Sequence, residues 1–165
     1  MEKKESRILI DSDVLINLFD KKKIFHLLVK KNLNLFQQKS INPNISLITA
    51  IEILQGNKSS LHKKQLNKEL VFFNQIDLTI SIGNIAKDLI LKYSSTHGLM
   101  LADALIAATA LQLNIPLFSL NAKDYKFIDT LKLYEAYNET QRIYSFTKEK
   151  NYCTRQRTKP HWPGY

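Results

Sequence analysis

The chain has 165 residues, of which 44% are hydrophobic and 24% charged, and these proportions are typical of a single folded domain. A single cysteine excludes an internal disulfide and fits a reducing compartment, and no apolar run approaches the ~20 residues of a membrane span, so we expect a cytoplasmic protein with no membrane contact. The formal net charge of +9 favours polyanionic partners such as nucleic acid, although lysine-rich faces also serve solubility alone.

Short apolar runs alternate with amphipathic stretches along the chain. In chain order, the pattern predicts a strand at 7–10, helices at 14–19 and 24–36, a break at 42–44, a strand at 45–48, helices at 49–55 and 61–74, a strand at 76–80, helices at 82–95 and 101–113, and strands at 117–120 and 131–134. This order predicts a three-layer α/β/α fold with a short, mostly parallel central sheet of four to five strands. We assign residues 1–147 to this domain and 148–165 to a basic, poorly ordered tail.

Three carboxylates lie inside apolar runs, where a lone charge is penalised. Asp11 follows Ile-Leu-Ile, Glu52 lies within Leu-Ile-Thr-Ala-Ile-Glu-Ile-Leu, and Asp103 opens a stretch of alanine, leucine and isoleucine. An ionised carboxylate that is buried without a partner costs several kcal/mol, or it is forced to keep its proton. Few lysines or arginines occur in these same segments, so the pattern favours a divalent metal as the shared partner.

The positions of the acids in the predicted fold strengthen this interpretation. Asp11 ends the first strand, Glu52 lies one helical turn beyond the second, and the turn with Asn121 and Asp124 follows the fourth. Ligands of an open parallel sheet bind beyond the carboxyl ends of its strands, so these residues should meet at one edge, and Asp103 should reach them. Mg²⁺, or else Mn²⁺, prefers such hard oxygen ligands and would relieve the repulsion among them.

Each acid also has a structural interpretation as a helix cap. One of residues 11–13 could cap the helix that begins near residue 14, and 49–52 match a capping box of the S/T-x-x-E type. Asn121 could cap the turn after the fourth strand, and Asp103 could cap a helix that starts later than predicted. Four caps at one sheet edge nevertheless explain the pattern less well than one metal site.

Four segments resemble those of PIN-domain nucleases, most of all the VapC-like ribonucleases of toxin–antitoxin pairs. They are RILIDSDVLI at 7–16, SLITAIEILQG at 46–56, LADALIAATA at 101–110 and IPLFSLNAKDY at 115–125, and the resemblance covers residues 7–135. It implies a Mg²⁺-dependent endoribonuclease that cleaves RNA, is inhibited by an antitoxin protein and forms a homodimer. It also implies a set of catalytic, metal-binding acids, namely Asp11, Glu52, Asp103 and Asp124, with supporting polar residues Ser12, Asp13, Ser119 and Asn121.

Several alternatives stay open at this point. Asn121 competes with Asp124 for the fourth position of the site, and the site holds either one ion or two. The protein is either a toxin, a nuclease of RNA processing outside a toxin pair, or a non-catalytic module that binds RNA or protein. The turn at 11–13 lacks the glycines needed at a pyrophosphate, which argues against a dinucleotide-binding domain. The aromatic residues, Tyr125 among them, are expected to fill the core or a dimer face rather than stack on bases.

Overall fold

The computed structural model describes residues 6–57 and 59–137. In chain order the elements are β1 (Ser6–Ile10), α1 (Ser12–Phe19), α2 (His26–Gln38), β2 (Ile41–Ser46), α3 (Leu47–Gln55), α4 (Ser60–Leu70), β3 (Asn74–Ile76), α5 (Ile80–His97), α6 (Leu101–Leu113) and β4 (Leu117–Phe118), followed by a 3₁₀ turn at Ala122–Asp124. The predicted tail at 148–165 and the last ten or so residues of the predicted domain lie outside the described residues. Within the described ranges, no helix combines the length and apolar character that crossing a membrane requires.

The four strands form one parallel sheet in the order β3-β2-β1-β4. Strand β1 is central, and its side chains alternate between two hydrophobic cores. Leu9 packs with residues of α5 and α6 on one face, whereas Ile8 and Ile10 pack with residues of α1, α2, α3 and α4 on the other. Because successive residues of a strand point to opposite faces, this apolar strand is covered on both sides. The predicted three-layer α/β/α fold is therefore confirmed.

Helix α6 has the bounds that its sequence predicts, whereas the bounds of several other elements differ from the prediction. The break predicted at 42–44 is wrong, because these residues belong to β2. Pro43 is tolerated there since β3 pairs with β2 only from Asn44 onward, so Pro43 lies where β2 has a single neighbour. The strand predicted at 76–80 lies instead at 74–76, because Thr79 caps α5 and its Oγ1 accepts a hydrogen bond from Ile82 N at 3.2 Å.

The fifth strand predicted at 131–134 is reduced to one parallel bridge between Leu117 and Leu133. Leu117 N donates to Lys132 O, and Tyr134 N donates to Leu117 O, each at 2.8 Å. The chain therefore runs beside β4 for a single residue pair. It then continues toward α2, where the buried side chain of Asn32 accepts hydrogen bonds from it.

Asn32 joins α2 to the segment that follows β4. Its side chain is fully buried, and its Oδ1 accepts hydrogen bonds from Tyr134 Oη at 2.9 Å and from Tyr137 N at 2.8 Å. Its Nδ2 donates to Leu28 O at 2.8 Å. The ring of Tyr134 also packs edge-on against Phe36, with centroids 5.1 Å apart. This amide thus supplies the polar contacts that hold the segment around Tyr134 onto the helical layer.

We expect Asn32→Ala to lower the free energy of unfolding by about 2–3 kcal/mol, because it leaves the partly buried Tyr134 hydroxyl and Tyr137 N–H without an acceptor. Urea unfolding followed by circular dichroism measures the change. Asn34→Ala is the control, since Asn34 lies on the exposed side of the same helix. Equal losses in the two variants would contradict a special role for Asn32.

Candidate active site at the carboxyl edge of the sheet

Asp11 is the single residue between β1 and α1. It is the N-cap of α1, where its Oδ1 accepts a hydrogen bond from Ser12 N at 2.7 Å, so the capping interpretation is correct for this residue. Only 6% of it is exposed. Burial, and then the negative charge of Asp13, raise the pKa of Asp11 to about 7, against the hydrogen bonds from Ser119, Ser12 N and Tyr125. The hydrogen bond of the cap therefore does not compensate for the water that the Asp11 carboxylate loses on burial.

Glu52 does not take the capping role that its sequence also allows. The N-cap of α3 is Ser46, whose Oγ accepts a hydrogen bond from Thr49 N at 2.9 Å. Glu52 lies almost two turns beyond this N-cap, is partly buried, and accepts a hydrogen bond through Oε2 from the hydroxyl of Ser12. The predicted supporting residue Ser12 therefore links α1 to α3, and Glu52 faces the β1–α1 junction.

Asp13 connects α1 to the turn that follows β4. Its Oδ2 accepts hydrogen bonds from Leu120 N at 3.0 Å and from Ser119 Oγ at 3.3 Å. Its Oδ1 is buried without a hydrogen-bond partner among the described residues. Burial raises the pKa of Asp13, and the hydrogen bonds from the turn, led by that of Leu120 N, oppose the rise. Asp13 therefore positions the turn and leaves one buried oxygen unsatisfied.

The two candidates for the fourth position of the site, Asn121 and Asp124, are hydrogen-bonded to each other. Asn121 Nδ2 donates a hydrogen bond to Asp124 Oδ2 across the 3₁₀ turn, and both residues are partly buried. Asn121 occupies the N-cap position of this turn, as the capping interpretation predicts, but its side chain makes no capping hydrogen bond. The turn brings both side chains to the carboxyl end of β4, beside the residues that follow β1.

Asp103 lies in the first turn of α6, which begins after Met100 without a side-chain cap, so the capping interpretation is wrong here too. It is partly buried. Burial raises its pKa, and the negative charges of Asp124, Glu52 and Asp13 raise it further. Asp103 therefore lies within electrostatic reach of acids from three other segments.

Tyr125 belongs to this group, although its sequence position suggests only packing. Its ring is 1% exposed, and its hydroxyl donates a hydrogen bond to Asp103 Oδ1 at 3.4 Å. Hydrogen bonding from the same hydroxyl lowers the pKa of Asp11. One signal was available, because a buried tyrosine needs a partner for its hydroxyl, and this one directly follows the strand-end acid Asp124.

The residues fit a hard divalent cation in their chemistry. Their donors are carboxylate oxygens, their mutual repulsion would be relieved by positive charge, and Asp13 Oδ1 is a buried oxygen without a partner. Within residues 6–57 and 59–137, no three aspartate, glutamate, histidine or cysteine side chains already surround a common point. Binding an ion therefore requires the carboxylates to turn toward one another.

A groove of about 510 Å³ opens beside Glu52. Its walls come from α1, α3, α4 and the residues between them, and they combine apolar side chains with a lysine and a histidine. The lining residues include Ile16, Phe19, Lys22, Asn57, His62 and Leu66. The acids thus lie next to a concave surface that is large enough for a segment of another polymer.

The comparisons with a family model and with a known relative agree with each other. The family model of the PIN domain matches residues 8–130. The chain is 32% identical over 143 residues to ribonuclease VapC1 of Methanocaldococcus jannaschii, which covers 82% of this chain and 92% of that relative. The match to the family model includes every predicted site residue.

Solved structures share the fold. A toxin–antitoxin complex from Klebsiella pneumoniae is similar over 78% of this chain and 98% of its own, with 29% identity and a TM-score of 0.62. VapBC2 from Rickettsia felis, crystallised with a DNA fragment from its promoter, is similar over 80% of this chain and 99% of its own. With 23% identity and a TM-score of 0.65, this second likeness is one of fold.

The raised pKa of Asp11 predicts a particular dependence of stability on pH. The folded protein binds this proton more tightly than the unfolded chain, so the free energy of unfolding falls as the pH rises from about 4 to above 7. In EDTA at pH 8, we expect Asp11→Asn to be more stable than the wild type by about 2–4 kcal/mol, since asparagine is also a good N-cap. The difference should shrink as the pH falls toward 5.

Urea unfolding at several pH values measures this difference. Asp88→Asn, which changes an exposed acid of α5, is the matched control and should show little change at any pH. A stability difference for Asp11→Asn that stays constant between pH 5 and 8 would contradict the assignment.

Proposed function

The chain belongs to the PIN-domain family, and from this premise we propose that it is a Mg²⁺-dependent endoribonuclease, the toxin of a type II toxin–antitoxin pair. The observation that carries the proposal is the gathering of buried and partly buried acids, from four segments, at one edge of the sheet, where negative neighbours raise the pKa of Asp11 and of Asp103. Such an arrangement is unfavourable without a cation, and a site for catalysis explains why the fold tolerates it.

The proposed roles follow from these positions. Asp11 and Asp103 bind the ion directly, Glu52 binds it directly or through water, and Asp124 completes the site with Asn121 as its bonded neighbour. The hydroxyl of Ser12 orients Glu52. Asp13 and Ser119 set the position of the turn that carries the fourth acid. Mn²⁺ would satisfy the same oxygen donors.

A bound Mg²⁺ would supply positive charge to the scissile phosphate and promote ionisation of the attacking water. The chain itself contributes the orientation of that charge. Asp11 follows β1 and Asp103 lies in the first turn of α6, so two different elements present the acids that would hold the ion. Asp13 accepts a hydrogen bond from Leu120 N and so holds the backbone of the turn at 119–121 beside the acids.

RNA is the substrate that this surface favours. The net charge of +9 attracts a polyanion, and Lys22 lines the groove that leads to Glu52. A single-stranded or looped RNA can splay its backbone into such a groove, whereas the phosphates of a regular duplex cannot approach a recessed carboxylate. The curated relative, which is named as a ribonuclease, supports this substrate class.

The proposal of an antitoxin partner rests on the related structures and on the same groove. The Klebsiella pneumoniae relative was solved as a toxin–antitoxin complex. In this chain the groove beside Glu52 includes Ile16, which is 44% exposed, so it offers apolar surface to a protein segment as well as access to the acids. We further propose that the protein acts in the cytoplasm as a homodimer.

We expect Asp11→Asn and Asp103→Asn each to reduce Mg²⁺-dependent cleavage of a total RNA pool by at least about 100-fold, since each removes a charge that holds the ion. Gel electrophoresis of the products over time gives the rates, with EDTA abolishing cleavage by the wild type. Asp88→Asn should cleave like the wild type.

Equal cleavage by the wild type, Asp11→Asn and Asp103→Asn would overturn the mechanism. A wild type that binds RNA without cutting it in Mg²⁺ or Mn²⁺ would favour the non-catalytic binding module.

We expect expression of the wild type in a bacterial host to stop growth, because cleavage of an essential RNA halts translation, and Asp103→Asn to allow growth at the same protein level. Colony counts after induction measure the effect. Where a small gene adjoins this one, co-expression of its product should restore growth with the wild type. A wild type that cuts RNA in vitro but leaves growth unchanged would favour a nuclease of RNA processing outside a toxin pair.

A further inference from the structure

We infer that the hydroxyl of Tyr125 is a positioning group for the two acids, Asp11 and Asp103, that the proposed function assigns to the metal. This inference rests on the proposed function and adds a residue to its machinery. The hydroxyl donates to Asp103 Oδ1 at 3.4 Å and lies within hydrogen-bonding reach of Asp11. One hydroxyl therefore faces two acids that come from different elements of the fold.

The ring of Tyr125 is firmly placed. It is 1% exposed and belongs to the hydrophobic core formed with α5 and α6. Its backbone is held on both sides, since Tyr125 N donates to Ala122 O at 3.1 Å and Ile128 N donates to Tyr125 O at 3.0 Å. Because the ring cannot move without disturbing the core, the position of its hydroxyl at the edge of the site is fixed by the fold.

A tyrosine hydroxyl is un-ionised at neutral pH and can donate its proton, since its ordinary pKa is about 10. Its hydrogen bond to Asp103 Oδ1 fixes which oxygen of that carboxylate faces the buried ring. Groups that orient a metal ligand in this way raise the affinity of the site for its ion.

The test separates this role from packing. Tyr125→Phe keeps the ring and removes only the hydroxyl. The matched control is Tyr134→Phe, because the Tyr134 hydroxyl also donates to a buried group, Asn32 Oδ1, on the other side of the fold. A merely structural hydroxyl at position 125 would behave like the control, which should lose stability and keep its metal binding.

Isothermal titration calorimetry with MgCl₂ on the full chain, without RNA, gives the dissociation constant directly. We expect this constant to increase about tenfold in Tyr125→Phe, the usual effect of removing a group that orients a metal ligand, and to be unchanged in Tyr134→Phe. The Mg²⁺ concentration for half-maximal RNA cleavage should increase by the same factor. The increase in melting temperature caused by a fixed Mg²⁺ concentration should be smaller in Tyr125→Phe than in the control.

The outcomes distinguish the inference from the proposed function. Equal Mg²⁺ binding by the wild type and Tyr125→Phe, with the wild type still cutting RNA, would overturn the inference alone. A wild type that neither binds Mg²⁺ nor cuts RNA would overturn the proposed function, and the inference with it.

Discussion

The direct passage from β1 into α1 through the one residue Asp11 is the constraint on which the rest of the site depends. No loop separates the strand from the helix, so the carboxylate that caps α1 is held at the edge of the central strand, where 6% of it remains exposed. The hydroxyl of Ser12, the next residue, donates a hydrogen bond to Glu52, and Asp13 accepts one from the backbone of the turn after β4. Three consecutive residues thus connect the first helix to α3 and to the fourth strand, and they bring the other acids within electrostatic reach.

This arrangement opposes stability in the metal-free protein. The pKa values of Asp11, Asp13 and Asp103 are all raised, so each acid is less stable as an anion here than in water. The fold compensates elsewhere, through two hydrophobic cores on either side of β1 and through the buried amide of Asn32. In the proposed function the same repulsion becomes useful, because a site that is unfavourable when empty has a higher affinity for a cation.

The layered fold and the edge that carries the acids could be predicted from local patterns, because apolar periodicity places strands and helices and parallel strands share a carboxyl edge. Helix α6, apolar on all sides, was the clearest case. The details that failed depend on contacts between distant residues. Pro43 is accepted in β2 because of where β3 begins to pair, and Glu52 bonds Ser12 instead of capping its own helix. The role of the Tyr125 hydroxyl requires the positions of two acids that lie 22 and 114 residues away in sequence.

The alternation of Leu9 with Ile8 and Ile10 between two cores also limits how the gene can change in length. Inserting or deleting one residue in β1 would exchange the faces of the following side chains, and it would displace Asp11 along the strand by about 3.3 Å. Both cores and the carboxyl edge would then be out of register at once. Insertions and deletions are instead compatible with the connections far from that edge, such as 71–73 after α4, where Val71 and Phe72 are about 80% exposed.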